Sequence, residues 1–170
     1  MTRAVLSIGS NLGDRLAALQ SVVDGLGESV VAVSPVYETA PWGGVEQAQF
    51  LNAVVIADDP LVDCHGWLRR GQAFEQAADR VRGVRWGPRT LDVDVISCRS
   101  GDTEHVVHEA DLTLPHPLAH LRAFVLVPWL AVDPGAELIV AGVRQPLTRL
   151  LAELDPAGVE STSLTLRSEV

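Results

Sequence analysis

The apolar residues of this chain change period repeatedly before residue 97, and glycine, proline or an acidic residue marks each change. That pattern restricts the fold more than any single residue does. Residues 4–8 are β-rich and apolar, the turn Gly9-Ser10-Asn11 follows, and Leu16, Leu19, Val23 and Leu26 recur at helical spacing. Gly25 and Gly27 are expected to end that helix. Residues 30–33 and 51–57 read as two strands joined by a long loop containing proline and glycine. Asp58-Asp59-Pro60 predicts a helix start, a capping acid with proline in the first turn. Leu61, Leu68, Phe74, Ala78 and Val81 mark that helix's apolar face as far as about Arg80. A polar loop, 81–88, leads into a strand at 91–96. The order strand, helix, strand, strand, helix, strand is that of an α+β, ferredoxin-like βαββαβ core. Beyond Ser97 come turns, a short helix near 118–121, an apolar run at 124–132 and a segment with Leu147, Leu150, Leu151 and Leu154, so additional C-terminal strands and helices are expected. Residues 1–170 read as one domain, with 161–170 expected to fray.

Charge narrows the chemistry. All 13 basic residues are arginine. A chain without lysine has no P-loop lysine, no Schiff base and no lysine general base. Six arginines (Arg69, Arg70, Arg80, Arg82, Arg85, Arg89) fall in one short stretch, where guanidinium groups can grip phosphate bidentately. The formal net charge of -9 opposes long-range attraction to nucleic acid or anionic membrane. Neither a secretory signal nor a bilayer-length apolar run is apparent, so a soluble, cytoplasmic protein is expected. Cys64 and Cys98 lie far apart without a Cys-x-x-Cys spacing, and they are expected to be two buried, idle thiols rather than a disulfide or a zinc site.

The residues that carry chemistry converge on one run. Asp92 and Asp94 alternate with Leu91, Val93 and Val95, so a strand here aims both carboxylates from one face. An Asp-x-Asp pair by itself is most often a solvated strand face. Here Arg85, Trp86 and Arg89 precede it, with Gly87-Pro88 forming a turn, and cation, aromatic and hard oxygen ligands come within reach of one polyphosphate. Magnesium suits such a site, because it binds through one or two carboxylates plus substrate phosphates. Gly9-Ser10-Asn11 is read as structural, with a helix cap at Asn11 or Asp14. Loops 36–49 and 81–88 are candidate covers that exclude water.

The run Arg85-Trp86-Gly87-Pro88-Arg89-Thr90-Leu91-Asp92-Val93-Asp94 closely resembles the hallmark of the 6-hydroxymethyl-7,8-dihydropterin pyrophosphokinase family of folate biosynthesis. The resemblance extends to Gly9-Ser10-Asn11-Leu12-Gly13, Tyr37-Glu38-Thr39 with Pro41 and Gly43, Phe50-Leu51-Asn52-Ala53, and Pro115-His116 with Arg122 and Phe124, over residues 3–135. It implies transfer of pyrophosphate from Mg-ATP to the substrate's hydroxymethyl group. It also implies that Asp92 and Asp94 bind two magnesium ions while Arg80 and Arg89 stabilise the transferring group. By the same resemblance, ATP would contact Gln72, Glu75, Arg82, Trp86, Arg89, Val95, Leu112, Thr113, His116 and Arg122. The pterin would contact Thr39, Ala40, Trp42, Phe50, Asn52, Trp86 and Phe124.

Asp111 and Pro117 stand where some family members carry a basic and an aromatic residue, which would shift phosphate binding towards Arg82 and Arg122. Three rivals remain at this level. A non-catalytic ferredoxin-like binding module is the first. A single-stranded RNA binder is the second, opposed by the net charge and the missing aromatic RNP signature. The third is an ordinary kinase yielding ADP, because residue chemistry does not separate attack at the β- from attack at the γ-phosphorus. A monomer with no nucleic-acid or membrane partner is expected.

Overall fold

The structure is a computed structural model, and it describes residues 1–44, 46–78 and 90–169. Strand β1 (Thr2–Ser10) is followed by helix α1 (Arg15–Leu26), β2 (Val30–Val33), β3 (Tyr37–Thr39), β4 (Phe50–Asp59), α2 (Cys64–Ala77) and β5 (Asp92–Ser100). Short strands β6 (Thr103–Glu104), β7 (Val107–His108) and β8 (Thr113–Leu114) lead to α3 (Ala123–Val132). The chain ends with the hairpin β9 (Glu137–Val140) and β10 (Val143–Pro146), helix α4 (Leu147–Ala152) and strand β11 (Val159–Ser161). The main sheet runs β11-β3-β4-β1-β5-β6, with β2 also paired to β4, and every pairing in it is antiparallel.

Alternation along the strands builds two cores, one on each face of the sheet. Leu6, Ile8, Val55, Val93 and Val95 point towards α1 and α2, where they pack with Leu19, Val22 and Trp67. Val5, Val54, Ile56 and Ile96 point the other way, under Leu126 and Trp129 of α3 and Leu147 and Leu150 of α4. A register shift between Val5 and Leu6 against β5 skips Ile96, so Val95 and Cys98 share the α1/α2 face. The apolar run at 124–132 is therefore a helix that covers the second face.

Several local expectations change. The second helix begins at Cys64, capped by Asp63, whose Oδ1 accepts from the Gly66 N–H at 2.6 Å. Asp58 and Asp59 are committed elsewhere: Asp58 holds Arg3 through two 2.6 Å hydrogen bonds across β1 and β4, and Asp59 takes the Arg70 guanidinium at 2.7 Å. The strand therefore runs on to Asp59, and Leu61, expected on the helix's apolar face, is 93% exposed. Asp14, rather than Asn11, caps α1 by accepting from the Ala17 N–H at 3.1 Å. Gly25 lies inside α1, where a Cβ would press into the Phe74 ring of α2; Gly27, at φ 52°, forms the C-cap.

Part of the segment expected to fray makes contacts with the rest of the chain. The Thr162 hydroxyl donates to Val36 O at 2.7 Å, Leu164 and Leu166 pack on the α1/α2 core, and Gln20 and Arg167 exchange two hydrogen bonds. The cysteines are not idle thiols: Cys64 and Cys98 form a disulfide with a Cα–Cα distance of 5.9 Å, fastening the first turn of α2 to β5. No helix among the described residues is long and apolar enough to cross a membrane.

Candidate active site

The cross-strand register builds the site. Gly9 of β1 pairs with Asn52 of β4 on one side and with Asp92 of β5 on the other, and Ser7 pairs likewise with Val54 and Asp94. Directly opposed residues of antiparallel strands share a face. Asn52 and Phe50 therefore stand on the same side of the sheet as Asp92 and Asp94, the side covered further along by α3. Gly9, which carries no side chain, lies between Asn52 and Asp92. A Cβ at Gly9 would press into Asn52 Oδ1, so the amide keeps its place only because this position is glycine. Two strand spacings set the Asn52 and Asp92 backbones about 10 Å apart.

Asn52 is buried, and its Nδ2 donates to Thr39 Oγ1 at 2.5 Å, which fixes the amide orientation. Thr39 is also buried, at the end of β3, whereas Ala40 is exposed. The expected loop 36–49 thus contains a strand, pinned between β4 and β11. Its far end is tied back as well. Asn11 Nδ2 donates to Gln47 Oε1 and Ala48 O, both at 2.9 Å, and Arg15 Nη1 donates to Gln49 O at 3.0 Å and Glu38 Oε2 at 3.1 Å.

Arg122, immediately before α3, joins the two halves of the site. It is 5% exposed, and its guanidinium lies 4.9 Å from the Trp42 ring centroid and 5.5 Å from that of Phe124. Its Nη1 stands 3.6 Å from Asp94 Oδ2. Burial lowers the Arg122 pKa, while the Asp94 and Asp92 carboxylates oppose the shift. The family resemblance assigns Arg122 to the nucleotide and Trp42 and Phe124 to the pterin, and the structure brings the three side chains together.

The remaining residues spread along β5 and α2. Glu75 is buried on α2 and Gln72 exposed. Val95 and Leu112 are turned into the α1/α2 core, so the Val95 side chain faces away from the two aspartates. Thr113 lies in β8. His116 follows a cis Leu114-Pro115 bond; its N–H donates to Ile96 O at 2.8 Å, and its Nδ1 accepts from the Leu118 N–H at 3.2 Å. Burial first, and the Arg122 charge second, push the His116 pKa down to about 4. The ring is therefore neutral near pH 7 with its proton on Nε2. Asp111 and Pro117 are exposed. Arg80, Arg82, Arg85, Trp86, Arg89 and the loop 81–88 lie outside the described residues.

Sequence reasoning missed a contact that holds the β7–β8 hairpin. His65 Nε2, in the first turn of α2, meets Glu109 Oε2 at 2.8 Å, with Asp111 close by, and so links the turn between β7 and β8 to α2. No spacing rule could have found it, since the partners are brought together only by the fold.

Known proteins are similar to this chain in sequence and in fold. The model of the 7,8-dihydro-6-hydroxymethylpterin-pyrophosphokinase family matches residues 5–134. A Mycobacterium bovis 2-amino-4-hydroxy-6-hydroxymethyldihydropteridine pyrophosphokinase is 66% identical over 169 residues, covering 96% of this chain and 90% of its own length. Proteins of the same name from Mycobacterium leprae and Methylorubrum extorquens are 65% and 43% identical, over 98% and 94% of this chain and 92% and 98% of theirs. A crystal structure of an HPPK-DHPS in complex with substrates superposes with a TM-score of 0.62 at 14% identity, over 89% of this chain and 43% of that one, which is a likeness of fold alone. The chain belongs to the 7,8-dihydro-6-hydroxymethylpterin-pyrophosphokinase family, enzymes of folate biosynthesis.

Proposed function

We propose that the face of the sheet bearing Asn52, Gly9, Asp92 and Asp94 is where the hydroxymethyldihydropterin meets ATP. The enzyme is a pyrophosphokinase: it transfers pyrophosphate from ATP to the pterin's hydroxymethyl group, leaving AMP. The observation that carries the placement is the shared register of Asn52, Gly9 and Asp92 across three strands. A flat ring lying on this face beside Asn52 would have its polar edge read by the fixed Asn52 amide and Thr39. Trp42, Phe50 and Phe124 would supply apolar faces. Towards β5 the same ring's hydroxymethyl group would lie beside the carboxylates.

Asp92 and Asp94 fit a magnesium site. They are hard oxygen donors, half-buried, two residues apart on one strand face, and Arg122 balances part of their charge. Two bound magnesium ions would offset polyphosphate charge there. Phosphoryl-type transfer asks little covalent help of a protein, so positioning and guanidinium charge are the main contributions of this chain. In this reading Arg80, Arg82, Arg85 and Arg89, with Trp86, complete the nucleotide side. Gln72, Glu75, Thr113 and neutral His116 are polar contacts for ATP. Val95 and Leu112 contribute through their main chain, since their side chains face the core.

The strand order β2/β3-β4-β1-β5, with α1 and α2 on one face, supports the ferredoxin-like description of the core. We propose that residues 1–170 act as one domain and as a monomer in the cytoplasm, with no nucleic-acid or membrane partner. Every element of the proposed site comes from this one chain.

Product analysis tests the reaction. Phosphorus NMR of protein, ATP, magnesium and 6-hydroxymethyl-7,8-dihydropterin should show AMP and a pterin diphosphate. ADP would mean an ordinary kinase, and tight pterin binding without turnover would mean a binding module.

A further inference from the structure

A cavity of about 230 Å³ lies at the opposite end of the same sheet face, between the β5–β6 end, the C-terminal half of α3 and the β9–β10 hairpin. Its polar groups are poorly matched among themselves. Arg99 and Glu104 are direct cross-strand partners and share a face, yet they close no ion pair among the described residues, and neither does Arg144. Glu104 Oε1 and the Nε1–H of Trp129, a residue 3% exposed, are both buried without a hydrogen-bond partner among the described residues. One is an acceptor and the other a donor, and burial without a partner disfavours both.

The volume is several times the roughly 30 Å³ share of one water. The charges select what could fill it. Arg3, also in the wall, is already held by Asp58, which leaves Arg99 and Arg144 facing Glu104, Asp133 and Glu137. A simple anion would meet three carboxylates, and a simple cation two guanidinium groups. A molecule carrying both charges satisfies both sets. Burial raises the Glu104 pKa, and the Arg144, Arg99 and His105 charges counter it only in part.

We propose that this cavity is a second ligand site, separate from the transfer site, for a small zwitterion of the amino-acid class. The ammonium group lies against Glu104 and its neighbouring acids, and the carboxylate against Arg99 and Arg144. Such a ligand would bridge β5 and α3, the elements that carry Asp94 and Phe124 at their other ends.

Nitrogen-15 NMR of the full chain tests this without any activity assay. The chain has four tryptophans, and hence four indole N–H signals, with Trp129 assigned by through-bond and through-space experiments. Titration with 4-aminobutyrate should move the Trp129 signal saturably, and Glu104→Gln and Arg144→Gln should each weaken the response about tenfold or more. Acetate and methylammonium, each carrying one of the two charges, should be far weaker. No saturating shift, a shift unchanged in both variants, or acetate matching 4-aminobutyrate would each overturn the proposal.

Discussion

Gly9 and Asn52 face each other across β1 and β4 so closely that the glycine's missing Cβ is the space occupied by the Asn52 amide oxygen. Gly9→Ala should therefore displace the Asn52 and Thr39 pair. Overpacking at such a site costs about 1–3 kcal/mol. The KM for the pterin should rise more than the KM for ATP. Steady-state kinetics with denaturant unfolding checks both, and equal effects on the two substrates would contradict a pterin contact at Asn52.

Among the described residues Arg122 meets two aromatic faces and the Asp94 carboxylate, a combination that a planar guanidinium serves better than an ammonium. Arg122→Lys keeps the charge and loses the double stack. It should lower kcat/KM by about tenfold or more, in proportion to a lost contact of roughly 1–2 kcal/mol. Wild-type activity in this variant would show that charge alone matters.

His116 titrates at about 4 when folded, below its ordinary 6.5. Between those values the unfolded chain binds more protons than the folded one, so stability rises with pH through that window and is lost as pH falls from 6.5 towards 4. Asp58, held below its usual range by the Arg3 hydrogen bonds, acts in the same direction: its contribution is present above the unfolded carboxylate pKa and lost as pH falls through the folded one. His116→Asn should flatten the upper part of this profile. Unfolding midpoints at pH 4.5 and 7, read for both proteins, give the answer; parallel profiles would contradict it.

The Cys64–Cys98 disulfide closes a loop with a sequence separation of 34. Reducing it, or replacing both cysteines with serine, should lower stability by about 3–4 kcal/mol on the chain-entropy scale. Thiol titration of the oxidised chain should find no free cysteine, and two after reduction and unfolding.

Much of this fold was legible because its strands alternate cleanly. Leu91 to Val95 placed both aspartates on one face, and the structure agrees. The order of the first elements followed from changes of period. What failed had long-range causes. Asp58 and Asp59 carry a good helix-start pattern, but Arg3 and Arg70 claim them through the tertiary fold, and the strand wins. Strand β3 is too short to show a period inside its loop. The disulfide depends on how α2 lies against β5, and the Trp42, Arg122 and Phe124 stack joins residues eighty positions apart, roughly half the chain. Neither leaves a spacing signal. Family resemblance supplied the roles of single residues, whereas periodicity supplied only their faces.

Pyrophosphate transfer is proposed to occur beside Asp94. Phosphorus NMR of the reaction with Asp94→Ala beside the wild type, both shown to be folded by circular dichroism and thermal unfolding, tests this. AMP and pterin diphosphate are expected from the wild type, with formation by the variant at least a hundredfold slower, about 3 kcal/mol of lost transition-state stabilisation. Equal rates from the two folded proteins would contradict it.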